Sequence, residues 1–146
     1  MSVPVNQRGH GKLEAYVKAY DLAVYTIRIT ANKKVFTTEY QEALTDKIIT
    51  AALDIYLLVG EANDISVRSE KDKQNYHDRI RMQVDAHRKC GEMNKLILLA
   101  KPIFHLSTKR VRYWTELTKE TKILIKAWSD SDKKRFTPLF ENTDVD

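Results

Sequence analysis

From Leu13 to Trp128 the apolar residues return every three or four positions, and glycine or proline falls only at Gly60, Gly91 and Pro102 in that span. A repeat near 3.6 residues lines one face of a helix, whereas a strand repeats every two. The chain is therefore predicted to be all-α, and the rhythm divides into four helices. The first, about Lys12 to Ala31, carries the stripe Leu13, Tyr16, Val17, Tyr20, Val24 and Ile27, and Asn32, Lys33 and Lys34 break it. The second opens at Thr38, which reads as a capping box with Gln41 three residues on, and ends near Asn63. Its apolar face holds Tyr40, Leu44, Ile48, Ala51, Ala52, Ile55, Leu58 and Val59. The third runs from about Ser69 to Ala100, with Asp72 giving an acidic start and Pro102 disfavouring continuation. The fourth, about Thr108 to Trp128, has Ser107 as its N-cap and Trp114, Leu117, Thr121, Leu124, Ile125 and Trp128 as its apolar face.

Helices of this length on connections of about six residues pack most readily as antiparallel neighbours. The expected architecture is an up-down-up-down four-helix bundle over residues 12–128, after a flexible lead at 1–11 and before a polar tail at 129–146. A length of 146 residues suits one domain. One cysteine leaves no internal disulfide to form, and the first thirty residues hold no apolar core behind a basic start, so the expected compartment is the cytosol. The run Ile55 to Val59 is far shorter than the roughly 20 apolar residues of a membrane span.

Two features are left over once the core faces are assigned. The first two helices carry a second apolar strip, Leu22, Tyr25 and Ile29 on one and Ile49, Leu53, Tyr56 and Leu57 on the other. Left uncovered, seven large apolar groups would form a patch of the kind that marks an association surface; the alternative cover is Phe136, Leu139 and Phe140 from the tail. The second feature is charge. The net charge is +5 with a pI near 9.2, and residues 101–135 hold ten basic against four acidic groups, whereas residues 1–63 balance. Arg112, Lys119 and Lys126, seven apart, lie opposite the apolar face of the fourth helix with Lys109 and Lys122 beside them. Lys133, Lys134 and Arg135 follow. This set reads either as a solvated face or as a contact surface for phosphates, whose binding would weaken steeply with salt.

The third helix mixes Gln83, His87, Cys90 and Asn94 into a presumed core stripe of Tyr76, Ile80, Val84, Ile97 and Leu98. Such groups either form a polar seam that fixes register or meets a neighbouring chain, or sit on a partly exposed edge. Catalytic signals are missing from the pattern. Glu-x-x-His pairs, phosphate-cradling Gly-rich loops and a Gly-x-Ser-x-Gly elbow do not occur, and His77 and His87 point about 80° apart on a helix. The acids fall on positions expected to face solvent, so nothing selects an acid/base pair. The expectation is a non-enzyme with neither metal nor cofactor.

The second helix carries Leu44, Thr45, Asp46, Lys47, Ile48, Ala51, Ala52, Ile55, Val59, Glu61, Ala62 and Asn63, and the fourth closes on Ala127, Trp128, Ser129, Asp130 and Ser131. This layout, over residues 13–135, resembles the four-helix-bundle family that includes the rRNA intervening-sequence proteins and the accessory variability determinants of diversity-generating retroelements. Ile49 and Thr50 stand where the rRNA branch commonly has basic residues, and Ala62 replaces its usual glycine. The ending is similar to the Gly-Trp-x-x-Ser type of the retroelement branch. That resemblance implies a homopentameric barrel of four-helix bundles that binds a reverse transcriptase and its template RNA or cDNA without catalysing a reaction. The candidate contacts for polymerase or nucleic acid are then Lys109, Arg112, Lys119, Lys122, Lys126, Lys133, Lys134 and Arg135. The alternative within the family is an rRNA-associated role of the intervening-sequence type.

Overall fold

The computed structural model describes residues 12–141, so the expected lead at 1–11 and the end of the expected tail at 142–146 lie outside the described residues. Four α-helices follow in order: α1 Lys12–Thr30, α2 Asp46–Asp64, α3 Lys73–Phe104 and α4 Thr108–Glu141. The described residues contain no strand. Helix α1 packs on α2 and α4, and α3 packs on the same two, so the core runs down the middle of a four-membered ring of helices.

Most of the apolar faces expected for the second and fourth helices are buried, although Tyr40 is exposed and Leu58 and Leu124 are half-buried. Ile48, Ala51, Ala52, Ile55 and Val59 of α2 and Trp114, Leu117, Thr121, Ile125 and Trp128 of α4 all turn inward. Ser107 caps α4 as expected, its Oγ accepting from the Arg110 backbone N–H at 3.1 Å. Ser69 and Asp72 form a reciprocal capping box ahead of α3. At Thr38 the expected box does not form. A 3₁₀ turn, Thr38–Tyr40, and a π turn, Gln41–Thr45, lead into α2, and Gln41 instead donates to the Asp46 carboxylate at 2.7 Å.

Helix α1 is turned over relative to its sequence reading. Leu13, Val17, Tyr20 and Ile27 of the expected core stripe are exposed, while Ala15, Ala19, Leu22, Ala23, Thr26 and Thr30 are buried. The buried side of α1 is thus made mostly of small side chains. The polar members are satisfied: Thr30 Oγ1 donates to the Thr26 carbonyl at 2.7 Å, and Trp114 Nε1–H donates to Thr26 Oγ1 at 3.0 Å.

Both later helices run past their expected ends. Helix α3 continues through Pro102 to Phe104, where His105 takes a left-handed φ of 55° and the Leu106 N–H donates to the Lys101 carbonyl at 2.9 Å. Proline's fixed φ is helical, so in this last turn it costs one backbone bond while burial of Phe104, ring to ring with Phe36 at 4.9 Å, draws the turn inward. Val84 and Leu98, expected in the α3 core, are exposed, and the buried side is Tyr76, Arg79, Gln83, Ala86, Cys90, Met93, Ile97, Ala100 and Phe104.

Helix α4 does not end at Trp128. It extends to Glu141 through Pro138, so residues 129–141 are helix rather than polar tail. Trp128, Asp132, Phe136 and Phe140, four apart, continue its buried stripe. Phe136 and Phe140 join Val67 and Tyr76 in a second small core, with the Tyr76 and Phe140 rings 5.2 Å apart.

Candidate nucleic-acid and assembly surfaces

The extension of α4 changes the geometry of the basic face. Each seven-residue step on a helix turns by only about 20°, about 60° over three steps. Arg112, Lys119, Lys126 and Lys133 therefore form a row along one helix, its ends about 30 Å apart at 1.5 Å per residue. All four are exposed. Lys133, which the sequence reading left in a tail, is on the helix and belongs to this row.

Lys126 is paired with Asp130, Nζ to Oδ1 2.6 Å, and the lysine holds that carboxyl below its usual range. Among the described residues no ion pair engages Arg112, Lys119 or Lys133. Lys122 is half-buried, with its ammonium 3.6 Å from where a Cβ on Gly91 would sit. Its charge and that of Lys126, together with burial as the leading cause, push the half-buried His87 imidazole below its ordinary pKa. Lys109 and Lys134 are exposed at the edges of the row. Arg135 points elsewhere: its guanidinium lies 4.6 Å over the Phe136 ring and lines the end of the bundle.

The expected assembly strip divides. Leu22 is fully buried in the protomer, and Tyr25 and Ile29 are packed against the core, so the α1 part of that strip faces inward. Ile49, Leu53 and Tyr56 are half-buried and Leu57 is exposed. The uncovered apolar groups of α1 are instead Leu13, Val17, Tyr20 and Ile27, the residues first assigned to the core. Tyr20 and Tyr56 meet edge-on with ring centroids 6.0 Å apart, and the Tyr16 and Tyr56 hydroxyls are 3.0 Å apart. One exposed face thus crosses from α1 to α2. A separate set on α3 and α4 comprises Val84, Leu98, Leu99, Ile103 and Ile123.

Sequence reasoning missed a buried ion pair between α3 and α4. Arg79 grips Asp132 with two hydrogen bonds, Nε to Oδ2 at 2.7 Å and Nη2 to Oδ1 at 3.2 Å. Gln83 Nε2 donates to the same Oδ2 at 2.7 Å, and Arg79 Nη1 donates to the Ile65 carbonyl at 2.9 Å. The guanidinium also lies 5.3 Å over the Trp128 ring. Of the polar residues on the third helix, Gln83 is buried and bonded within the chain and His87 and Asn94 are half-buried, while Cys90 is a buried thiol whose pKa burial pushes up to about 12. The four-residue step from Trp128 to Asp132 to Phe136 was the available signal that this acid faces inward.

Among the described residues no group of three or more metal-ligating side chains converges, and no helix is long and apolar enough to cross a membrane. No protein-family model matches this chain, and neither a curated protein nor a solved structure matches it significantly.

Proposed function

We propose that the protein is a non-catalytic accessory scaffold of a diversity-generating retroelement. It self-associates into a closed ring, a homopentamer in the terms of the family it resembles, and binds the reverse transcriptase together with template RNA or cDNA. The observation that carries this reading is the gently winding row of exposed Arg112, Lys119, Lys126 and Lys133 along α4. Such a row suits a phosphate backbone, and repetition around an oligomer would strengthen its field.

Two further features support the reading. Contacts such as Lys18 with Glu120 and Thr26 with Trp114 pair rising positions on α1 with falling ones on α4, as the up-down-up-down antiparallel order requires. A closed ring uses two different patches of each subunit, one meeting the other on its neighbour. The exposed apolar residues of α1–α2, and those scattered over α3 and α4, are the candidates for these patches.

The test is binding of a structured RNA across a salt series. Wild-type affinity is expected to fall steeply with salt, and replacing Arg112, Lys119 and Lys133 by Gln is expected to weaken binding by at least about tenfold at low salt and to flatten the slope. RNA binding that ignores both salt and these substitutions would remove the role given to α4.

A further inference from the structure

Between α3 and α4 the cationic row borders a cavity of about 170 Å³, lined from α3 by Gln83 and His87 and from α4 by Lys126, Ser129 and Lys133. Lys126 and Lys133 are one seven-residue step apart, so two exposed members of the row stand over the same opening. The His87 ring is half-buried there and makes no hydrogen bond among the described residues. Ser129 is 5% exposed, and its hydroxyl is likewise unpartnered among the described residues. That Oγ is not one of the unpartnered side-chain atoms closed to solvent, so it opens onto the cavity it lines. The Gln83 amide is fixed from behind by its bond to Asp132 at 2.7 Å.

The charges that face the imidazole come from α4: Lys122, Lys126 and Lys133 against the single carboxylate of Asp130, which is held by Lys126 at 2.6 Å. On α3 itself Asp85 and Arg88 line a different hollow, on the side of Asp54 and Glu61 of α2. Cations thus outnumber acids around the ring, and the occupant that suits it is an anion. Burial and the two nearer lysines hold the ring below its ordinary pKa, so in the free protein it is neutral at pH 7. A neutral imidazole has one N–H donor and the imidazolium has two. An anionic oxygen seated between Lys126 and Lys133 reverses the sign of the field at the ring and favours the imidazolium, which then donates to it.

We infer that this cavity seats one phosphodiester of the nucleic acid lying along α4, and that His87 binds it as imidazolium, so that each seated phosphate brings a proton onto the protein. The Ser129 hydroxyl is a further donor at the base of the seat. The inference rests on the nucleic-acid reading of the α4 row and adds a regulation to it: affinity rises as pH falls through the range in which the bound ring titrates. A phosphodiester keeps its single charge over that range, whereas a terminal monoester sheds charge near about pH 6 and would act in the opposite direction.

Calorimetric titration of the full chain with one structured RNA bearing hydroxyl ends, at fixed salt from about pH 8 to about pH 5.5, tests the inference. Wild-type affinity is expected to rise about tenfold across the series, the change carried by one pKa unit of difference between free and bound ring. His87→Gln, which stays neutral, is expected to match wild type at the alkaline end and to lose that rise. The imidazole itself, followed by NMR, is expected to titrate at higher pH with RNA than without. Salt-sensitive RNA binding that is flat with pH, or whose rise survives in His87→Gln, overturns the inference and leaves the α4 row standing. Absence of RNA binding at every pH overturns both. A pH response in solution mass without one in RNA affinity gives the cavity to a contact between copies of the chain and overturns the inference as well.

Discussion

Asp132→Ala is expected to destabilise the protein by about 3–5 kcal/mol, because it strands the Arg79 guanidinium inside the bundle without its carboxylate. The two side chains keep only 5% and 3% of their surface exposed, so water cannot replace the lost partner. Gln83 Nε2 loses its acceptor in the same step. The double replacement Arg79→Met with Asp132→Leu removes both charges and fills similar volume, and should recover most of that loss. Urea denaturation measures both, as a lower midpoint for the single variant with an unchanged slope. A single variant within about 1 kcal/mol of wild type would mean that the pair is solvated and does not hold the end of α4 to α3.

Trp114→Ala is the second large effect, about 3–5 kcal/mol, since it empties the space of a fully buried indole ringed by Tyr25 and Phe36, each with its centroid 6.1 Å away. The two tryptophans also separate the ring from its N–H. Trp114 donates to Thr26 Oγ1 at 3.0 Å, whereas the Trp128 N–H has no partner among the described residues. Replacement by Phe should therefore cost about 1 kcal/mol more at position 114 than at position 128. Equal costs in urea denaturation would show that the bond to Thr26 contributes nothing net.

These two sites show what could be read from the sequence and what could not. The inward face of α4 was legible because large apolar groups, Trp114, Leu117, Ile125 and Trp128, mark it at helical spacing. On α1 the same rule selected the wrong side. Its buried face is mostly alanine and threonine, and its large apolar groups Leu13, Val17, Tyr20 and Ile27 face out. The end of α4 was hidden by its charges: the run from Asp130 to Arg135 reads as a solvated tail until Asp132 is matched with Arg79 on another helix, and that pairing is a tertiary fact. Pro102 reads as a stop, yet it lies in the final turn of α3, where one missing backbone bond is offset by burial of Phe104, and Pro138 sits likewise near the end of α4 beside the buried Phe140.

The cationic row was half legible. Arg112, Lys119 and Lys126 were found from their spacing, while Lys133 joined them only once the helix was seen to continue. The surplus of apolar residues on the first two helices was legible, but the members exposed on α1 are the ones assigned to the core in the sequence.

The proposed assembly requires that the face crossing α1 and α2 is covered by another copy of the chain. Solution mass by light scattering, over a range of concentrations, tests it most directly, with the double variant Tyr20→Asp and Leu57→Asp alongside. The expected result is a single closed oligomer, five times the 17.0 kDa protomer in the family's terms, that the double variant converts to monomer with its helical content intact. A wild-type mass of one protomer at every concentration, or an oligomer that the two aspartates leave unchanged, would contradict the claim.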